Sequence, residues 1–243
     1  METQVNVWET REHCENYLSN KEISVDDVHY GLLSPGEKEL GLLGNVNGKK
    51  VLEVCCGAAQ NSIALTKWGA ECTGVDISSE MLFMAKNLAL IYNTPIDLLV
   101  GDAKRLDKIL TRRKNNGYFD IALSSYGSCF VEDQLGLYIK VWRALKPGGL
   151  FVFCATHPLQ ESQCTQTLQG GWSEEIQPIN QVVCDLDEAG FEVERIIEQT
   201  TRNPSQMTKE ERQKYPYRVN NLKPELDHFC DLPHTIIYVC RKA

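Results

Sequence analysis

Apolar positions along the chain fall into two alternating rhythms. Val51, Leu52 and Val54 form a short continuous run, as in a strand buried on both faces. Small residues follow, Cys55-Cys56-Gly57-Ala58-Ala59, and then Ile63, Leu65 and Trp68 recur at helical spacing until Gly69. The alternation repeats, with further strands predicted over 72–77, 96–100, 119–123, 150–154, 191–197 and 235–240. One intervening helix is capped by Ser78, carries Met81, Leu82, Ala85 and Leu88, and is broken by Pro95. Another carries Leu135, Tyr138, Val141, Trp142 and Leu145 and stops at Lys146-Pro147-Gly148-Gly149. A third runs from Asn180 through Val183 and Leu186 to Gly190. Strands alternating with helices predict an α/β fold.

Before the first strand the pattern is looser. Trp8, Tyr17 and Leu18 share one helical face, and Ser34-Pro35-Gly36-Glu37 reads as cap, proline and first-turn acid of a short helix ending near Gly41 or Gly44. Residues 159–178 are polar, with Gly170-Gly171-Trp172, and 198–234 bring Lys209, Arg212, Lys214 and Arg218 beside Tyr215 and Tyr217. Both stretches read as insertions. The whole chain, 1–243, thus reads as a single domain with an N-terminal segment over 1–46 and a core over 47–158.

Composition narrows the class. The 243 residues are 42% hydrophobic, enough to build one larger domain. A net charge of -8 argues against a general nucleic-acid binder. No apolar run reaches the roughly 20 residues that span a bilayer. The N-terminus is acidic and polar, unlike a signal peptide, so a cytoplasmic location is expected. Ten cysteines are many, but a chain this long is no disulfide scaffold, and Cys55, Cys72, Cys154 and Cys240 fall in strands as small core residues. Cys154-x-x-His157 and Cys230-x3-His234 are isolated pairs, so no metal site is expected.

The stretch 50–77 reads as strand, tight loop, helix and strand, the last ending on Asp76. Small residues at a helix N-terminus, with an acid about 20 residues on, suit a nucleotide-type ligand. A dinucleotide fingerprint would place glycines at 55, 57 and 60, and only Gly57 fits. Glu53, inside the strand before the loop, repels a pyrophosphate and suits a ligand with a cationic end. The chain here resembles the class I S-adenosylmethionine-dependent methyltransferases. Their first motif, acid-x-Gly-x-Gly-x-Gly, stands as Glu53-Val54-Cys55-Cys56-Gly57-Ala58-Ala59, with two glycines replaced. The helix–Lys146-Pro147-Gly148-Gly149–strand sequence is a second match. The likeness covers 47–158 closely, and 179–199 with 235–242 in outline.

The resemblance implies a Rossmann-like, seven-stranded mixed sheet with helices on both faces. The last strand would insert antiparallel beside the fifth, and an N-terminal helical lid would cover the cofactor. It implies S-adenosylmethionine as methyl donor and S-adenosylhomocysteine as product. Glu53, Cys55 and Gly57 would line the loop, and Asp76, Ile77 and Met81 the ribose side. Asp102 and the Ala103 amide would meet the adenine, and Ser124 would stand at the fourth strand end. Tyr17 or Tyr30 of the lid would cover the methionine carboxylate, unless they are packing aromatics. Asp102 is otherwise a helix cap.

Tyr126 would shape the acceptor site, and His157 is the candidate general base, its bland alternative a hydrogen bond to the turn before Pro158. His228 and His234 are weaker candidates. Trp172, Tyr215 and Tyr217 would wall a planar acceptor or pack the insertions. Arg212, Lys214 and Arg218 would bind an acceptor anion or stand in solvent, as would the basic run 104–114. The expected activity is methylation of N or O on a small-molecule metabolite or natural-product intermediate, such as a heterocycle. The enzyme would act as a monomer or homodimer, without nucleic-acid or membrane partners. An RNA or protein methyltransferase, a non-catalytic S-adenosylmethionine-binding regulator and a nicotinamide dehydrogenase stay open.

Overall fold

Strand pairing in the computed structural model, which describes residues 10–12, 14–15, 21–31, 34–110, 116–160, 176–200, 208, 210–211, 214–219 and 233–243, yields two sheets. The smaller is β1 (Lys21–Ile23) antiparallel to β8 (Tyr217–Val219). The larger has seven strands in the order β4-β3-β2-β5-β6-β9-β7. These are β2 (Lys50–Val54), β3 (Glu71–Asp76), β4 (Asp97–Val100), β5 (Phe119–Ser125), β6 (Leu145–Thr156), β7 (Phe191–Thr200) and β9 (Pro233–Lys242). Strands β4 to β6 in that order are parallel; β9 lies antiparallel between β6 and β7. The predicted mixed sheet, with the last strand beside the fifth, is therefore present.

The apolar run of β2 follows from its central place. Leu52 and Val54 point to one face, where Phe119, Phe151 and Phe153 meet α5 (Gln134–Ala144) through Leu137, Tyr138 and Val141. On the same face α6 (Ile179–Glu188) adds Val182 and Leu186. Phe153 stacks on Tyr238 and on Phe151, each pair 4.8 Å apart. Val51 points to the opposite face and joins Ile121, Leu123, Val152 and Ile237 under Ala64 and Leu65 of α2 (Gln60–Lys67). Helix α3 (Ser79–Ile91) seats Leu82 and Ala85 on Cys56 and Ala59. Both faces of a parallel sheet are thus covered, which makes its strands continuous rather than alternating in hydrophobicity.

The N-terminal segment meets the core in two places. Cys14, in a helical turn, packs on Ala58 and Met81, and Val28, Tyr30, Leu42, Leu43 and Val46 are buried in the α2-side core. Helix α1 (Glu37–Leu40) begins after Gly36, and Ser34 does not cap it. Glu37 instead turns inward and accepts hydrogen bonds from Tyr30 Oη at 2.5 Å and from the amides of Leu42 and Leu43 at 2.9 and 2.7 Å. Three donors on one carboxylate close the segment onto the core. Trp8, Tyr17 and Leu18 lie outside the described residues. Strand β6 already begins at Leu145, so Lys146-Pro147-Gly148-Gly149 is a strand irregularity beside a register shift in β5. Strand β7 reaches Thr200 and β9 starts at Pro233, which shortens the second insertion at both ends.

Candidate active site

The loop after β2 is held in a backbone shape that favours glycine. Cys55, Gly57 and Ala59 have φ of 56°, 53° and 57°, all left-handed. Each side chain there costs about 1–2 kcal/mol. The surroundings fix the loop nonetheless: the Cys56 amide donates to Val75 O at 3.0 Å and the Ala59 amide to Cys56 O at 2.8 Å. The Gly57 amide donates to Asp76 Oδ2 at 2.7 Å. Cys55 fits because the facing residue is Gly127, where a Cβ would lie 2.3 Å from its own. Burial, with the charges of Asp76, Asp102 and Glu53, pushes the Cys55 thiol far above the usual range. It stays protonated, and so is a poor nucleophile or metal ligand.

Three acids stand along the C-terminal edge of the parallel strands. Glu53 is buried and accepts from the amide of Ser62 at 3.0 Å and from its hydroxyl. Burial raises its carboxyl to about 7, against the pull of those bonds. Asp76, at the end of β3, accepts from the Gly57 and Ser78 amides, the latter at 2.9 Å, and burial raises it too. Ser78 Oγ accepts from the Met81 amide at 3.0 Å, so the acid, the helix cap and Met81 are fixed together. Asp102 caps the 3-10 turn Ala103–Arg105 through the Lys104 amide at 2.9 Å. Lys104 itself pairs with Glu132. Register places Asp76 opposite Val100, and Ile77 just beyond is 40% exposed, an apolar side chain left at the edge between two acids.

The end of β5 forms the other half of the edge. Ser124 is fully buried, and its hydroxyl has no hydrogen-bond partner among the described residues. Ser125 Oγ donates to the carbonyl of His29 at 2.8 Å and accepts from Asn61 Nδ2 at 3.0 Å. Tyr126, with φ of 56°, places its hydroxyl 2.6 Å from Thr235 Oγ1. Its ring lies so close over Gly31 that a Cβ there would come within 2.0 Å of it.

Two expected site residues fall elsewhere. His157 is 2% exposed; Nδ1 accepts from the Leu159 amide at 3.2 Å, so Nε2 carries the proton and donates to Glu198 at 2.8 Å. Both ring nitrogens are engaged, by the turn and by β7, which is the hydrogen-bonding alternative to a general base. Tyr30, fully buried with its hydroxyl on Glu37, is a core residue rather than a cofactor cover. Tyr17 lies outside the described residues, as do Trp172, Arg212 and His228. Lys214 pairs with Glu39 at 2.9 Å. His234 presents its carbonyl to the His157 amide, and burial lowers its imidazole. Asn61, Ser62 and Ser125 were missed. The signal for the first two was a buried polar run, Gln60-Asn61-Ser62, opening the helix ahead of Ile63, Ala64 and Leu65.

Comparison with known proteins matches this edge to a family. A methyltransferase domain model fits residues 52–153. An S-adenosylmethionine-dependent methyltransferase from Mesorhizobium loti superposes with a TM-score of 0.65 at 25% identity, over 83% of this chain and 94% of its own. Residues 52–153 are thus a methyltransferase domain, set in a fold shared with S-adenosylmethionine-dependent methyltransferases. Within it, a demethylmenaquinone methyltransferase from Staphylococcus haemolyticus is 38% identical over 112 residues, 45% of this chain and 44% of that protein. The chain therefore spans a little under half the length of the curated relatives it matches. The [4+2]-cyclase SpnF shares the fold with a TM-score of 0.63 at 15% identity, over 94% of this chain and 91% of its own, so architecture alone does not name a reaction.

Proposed function

We propose that this methyltransferase transfers the methyl group of S-adenosylmethionine to an N or O atom of a small-molecule acceptor. The observation that carries the cofactor reading is the row of Asp76, exposed Ile77 and Asp102 at the ends of β3 and β4, beside a loop with three left-handed residues. A ribose, a flat ring and an amino-substituted base fit such a row in that order. Asp76 would hold the ribose hydroxyls, Ile77 and Met81 the ring faces, and Asp102 with the Ala103 amide the adenine edge. Gly57 and Cys55 would let the methionine portion pass close, with Ser124 offering its buried hydroxyl. Glu53 acts one layer back, fixing the start of α2 through Ser62. The bound cofactor supplies a methyl carbon already activated by its sulfonium.

What the chain's residues contribute is position. Orienting two reactants and excluding water supplies much of the acceleration of such a displacement. The relatives named for demethylmenaquinone support a small ring-bearing acceptor. Net charge of -8 supports that over RNA. Calorimetry with S-adenosylhomocysteine, then methyl transfer to a panel of small phenols, amines and quinols, tests the reading. Absence of cofactor binding would overturn it, and binding with no turnover on any panel member or on tRNA would favour a regulator.

A further inference from the structure

A cavity of about 330 Å³, counting the solvent at its mouth, opens on the α5 and α6 side of the sheet. Ser128 and Cys129, in the 3-10 turn after β5 (Ser128–Phe130), line it with Ala155 and Thr156 at the end of β6. Three buried aromatic side chains line it too. Tyr138 of α5 lies 5.3 Å from Phe153, and Phe153 stacks on Tyr238 at 4.8 Å. Tyr138 Oη donates to Gln134 Oε1 at 3.0 Å, which helps to fix its ring. Protein interiors leave few voids larger than a water, so an opening among buried rings is costly unless something fills it.

The lining states what would fill it. Gln177, just before α6, has its Oε1 buried with no hydrogen-bond partner among the described residues. An amide oxygen only accepts, so its partner must bring an O–H or N–H. No charged side chain among the described residues lines the cavity. A charged ligand would lose its water there and find no counter-ion. Aromatic walls and one open acceptor suit a neutral, flat ligand with a single donor.

The cavity adjoins the strand ends given to the cofactor. Ser124 and Phe153 stand opposite each other in the β5–β6 register, so their side chains share a face one strand spacing, roughly 5 Å, apart. Gly127, next before Ser128, is seated against the loop after β2: a Cβ there would lie 2.3 Å from that of Cys55 and 3.3 Å from Ser124 Oγ. The turn that lines the cavity therefore begins in contact with Cys55. We propose that the cavity holds the acceptor, and that the acceptor carries a neutral planar ring with a hydroxyl or N–H that Gln177 Oε1 accepts. The inference rests on the methyl-transfer reading above. Tyr138, Phe153 and Tyr238 give the ring its apolar contact, and Gln177 selects for the donor.

The probes are 4-fluorophenol and 4-fluorotoluene, rings of one size of which only the first donates. Fluorine NMR titration of the full chain, saturated with S-adenosylhomocysteine, should show saturable binding of 4-fluorophenol. In Gln177→Leu the ratio of fluorophenol to fluorotoluene affinity should fall about tenfold, the loss of one hydrogen bond. Ala155→Phe, which fills the cavity from β6, should abolish binding of both probes and keep S-adenosylhomocysteine affinity within about twofold. If that variant does not fold, Gln177→Leu carries the test. The bound fluorine signal should also shift when S-adenosylmethionine replaces S-adenosylhomocysteine, since the two differ only at the sulfur and its methyl. An unchanged signal would place the cavity away from the reacting carbon and overturn the proposal. So would an unchanged affinity ratio in Gln177→Leu, or no saturable binding to the wild type, which would leave the cavity to a bound water. Should calorimetry show that the wild type does not bind S-adenosylhomocysteine, the cofactor reading itself fails, and that outcome is separate from any effect of the probes.

Discussion

Asp76 accepts the amide of Gly57 at 2.7 Å, so the acid at the end of β3 also holds the loop after β2 in its left-handed shape. Two tasks fall on one carboxylate. Asp76→Ala removes a prospective ribose acceptor and frees the loop, while Asp76→Asn keeps one oxygen for the Gly57 amide. Both should bind S-adenosylhomocysteine more weakly, and alanine should also lower stability by about 1.5–3 kcal/mol, the range for a hydrogen bond to a charged group. Calorimetry and urea titration read the two effects. Wild-type affinity in Asp76→Ala would remove the residue from the cofactor site.

Glu53 is expected to make the protein less stable as pH rises. Its folded-state carboxyl is raised to about 7 from an ordinary value of 4.5, chiefly by burial. The folded protein therefore holds a proton that the unfolded chain releases at lower pH. The stabilising contribution is complete below 4.5 and is lost as pH climbs through 7, up to about 3 kcal/mol in all. Glu53→Gln keeps an oxygen for Ser62 and removes the titration. Thermal melts should show the variant close to wild type at pH 5 and more stable at pH 8. A stability difference independent of pH would show that burial does not set this group.

How much of this was legible before the structure differs by residue. The strand run of Val51, Leu52 and Val54 was plain because a doubly covered parallel strand is apolar throughout. Asp76 and Asp102 were legible because they close such runs. Cys55 and Ala59 looked like departures, yet φ shows the loop unchanged and strained, since sequence reports identity and not backbone angle. The start of α1 was misread because Glu37, three residues after a serine, mimics a capping box, whereas its carboxylate is drawn inward by Tyr30 Oη. His157 looked catalytic for its place at a strand end. Its partner Glu198, on β7, became visible only when β9 brought the two strands together.

His157→Ala is expected to lower stability and spare turnover. The imidazole is buried, its nitrogens bridging the Leu159 amide and Glu198. Its deletion leaves a cavity and an unpaired amide, a loss of about 1–3 kcal/mol. Once an acceptor is in hand, kcat should stay within about twofold of wild type at temperatures below the lowered Tm. A loss of kcat with an unchanged Tm would return His157 to the catalytic role.

The left-handed loop makes two opposite substitutions informative together. Cys55→Gly relieves strain of about 1–2 kcal/mol at φ 56° and gives up a comparable amount in a buried side chain and in chain entropy. Its stability should fall within about 1 kcal/mol of wild type, and its affinity for S-adenosylhomocysteine should be equal or higher, because the proposed binding mode brings the ligand nearest the backbone at this residue. Gly57→Ala introduces the same strain at φ 53° and adds a Cβ 3.2 Å from Met81 Cε. About 0.4–1 kcal/mol is regained in chain entropy, less than the strain and the tight contact cost together, so stability should drop by about 1 kcal/mol and cofactor affinity with it. Denaturant titration and calorimetry on the pair decide between strain and side-chain identity. If Gly57→Ala matches wild type in both, backbone shape is not what the loop selects for, and the tolerance of Cys55 needs a different physical cause.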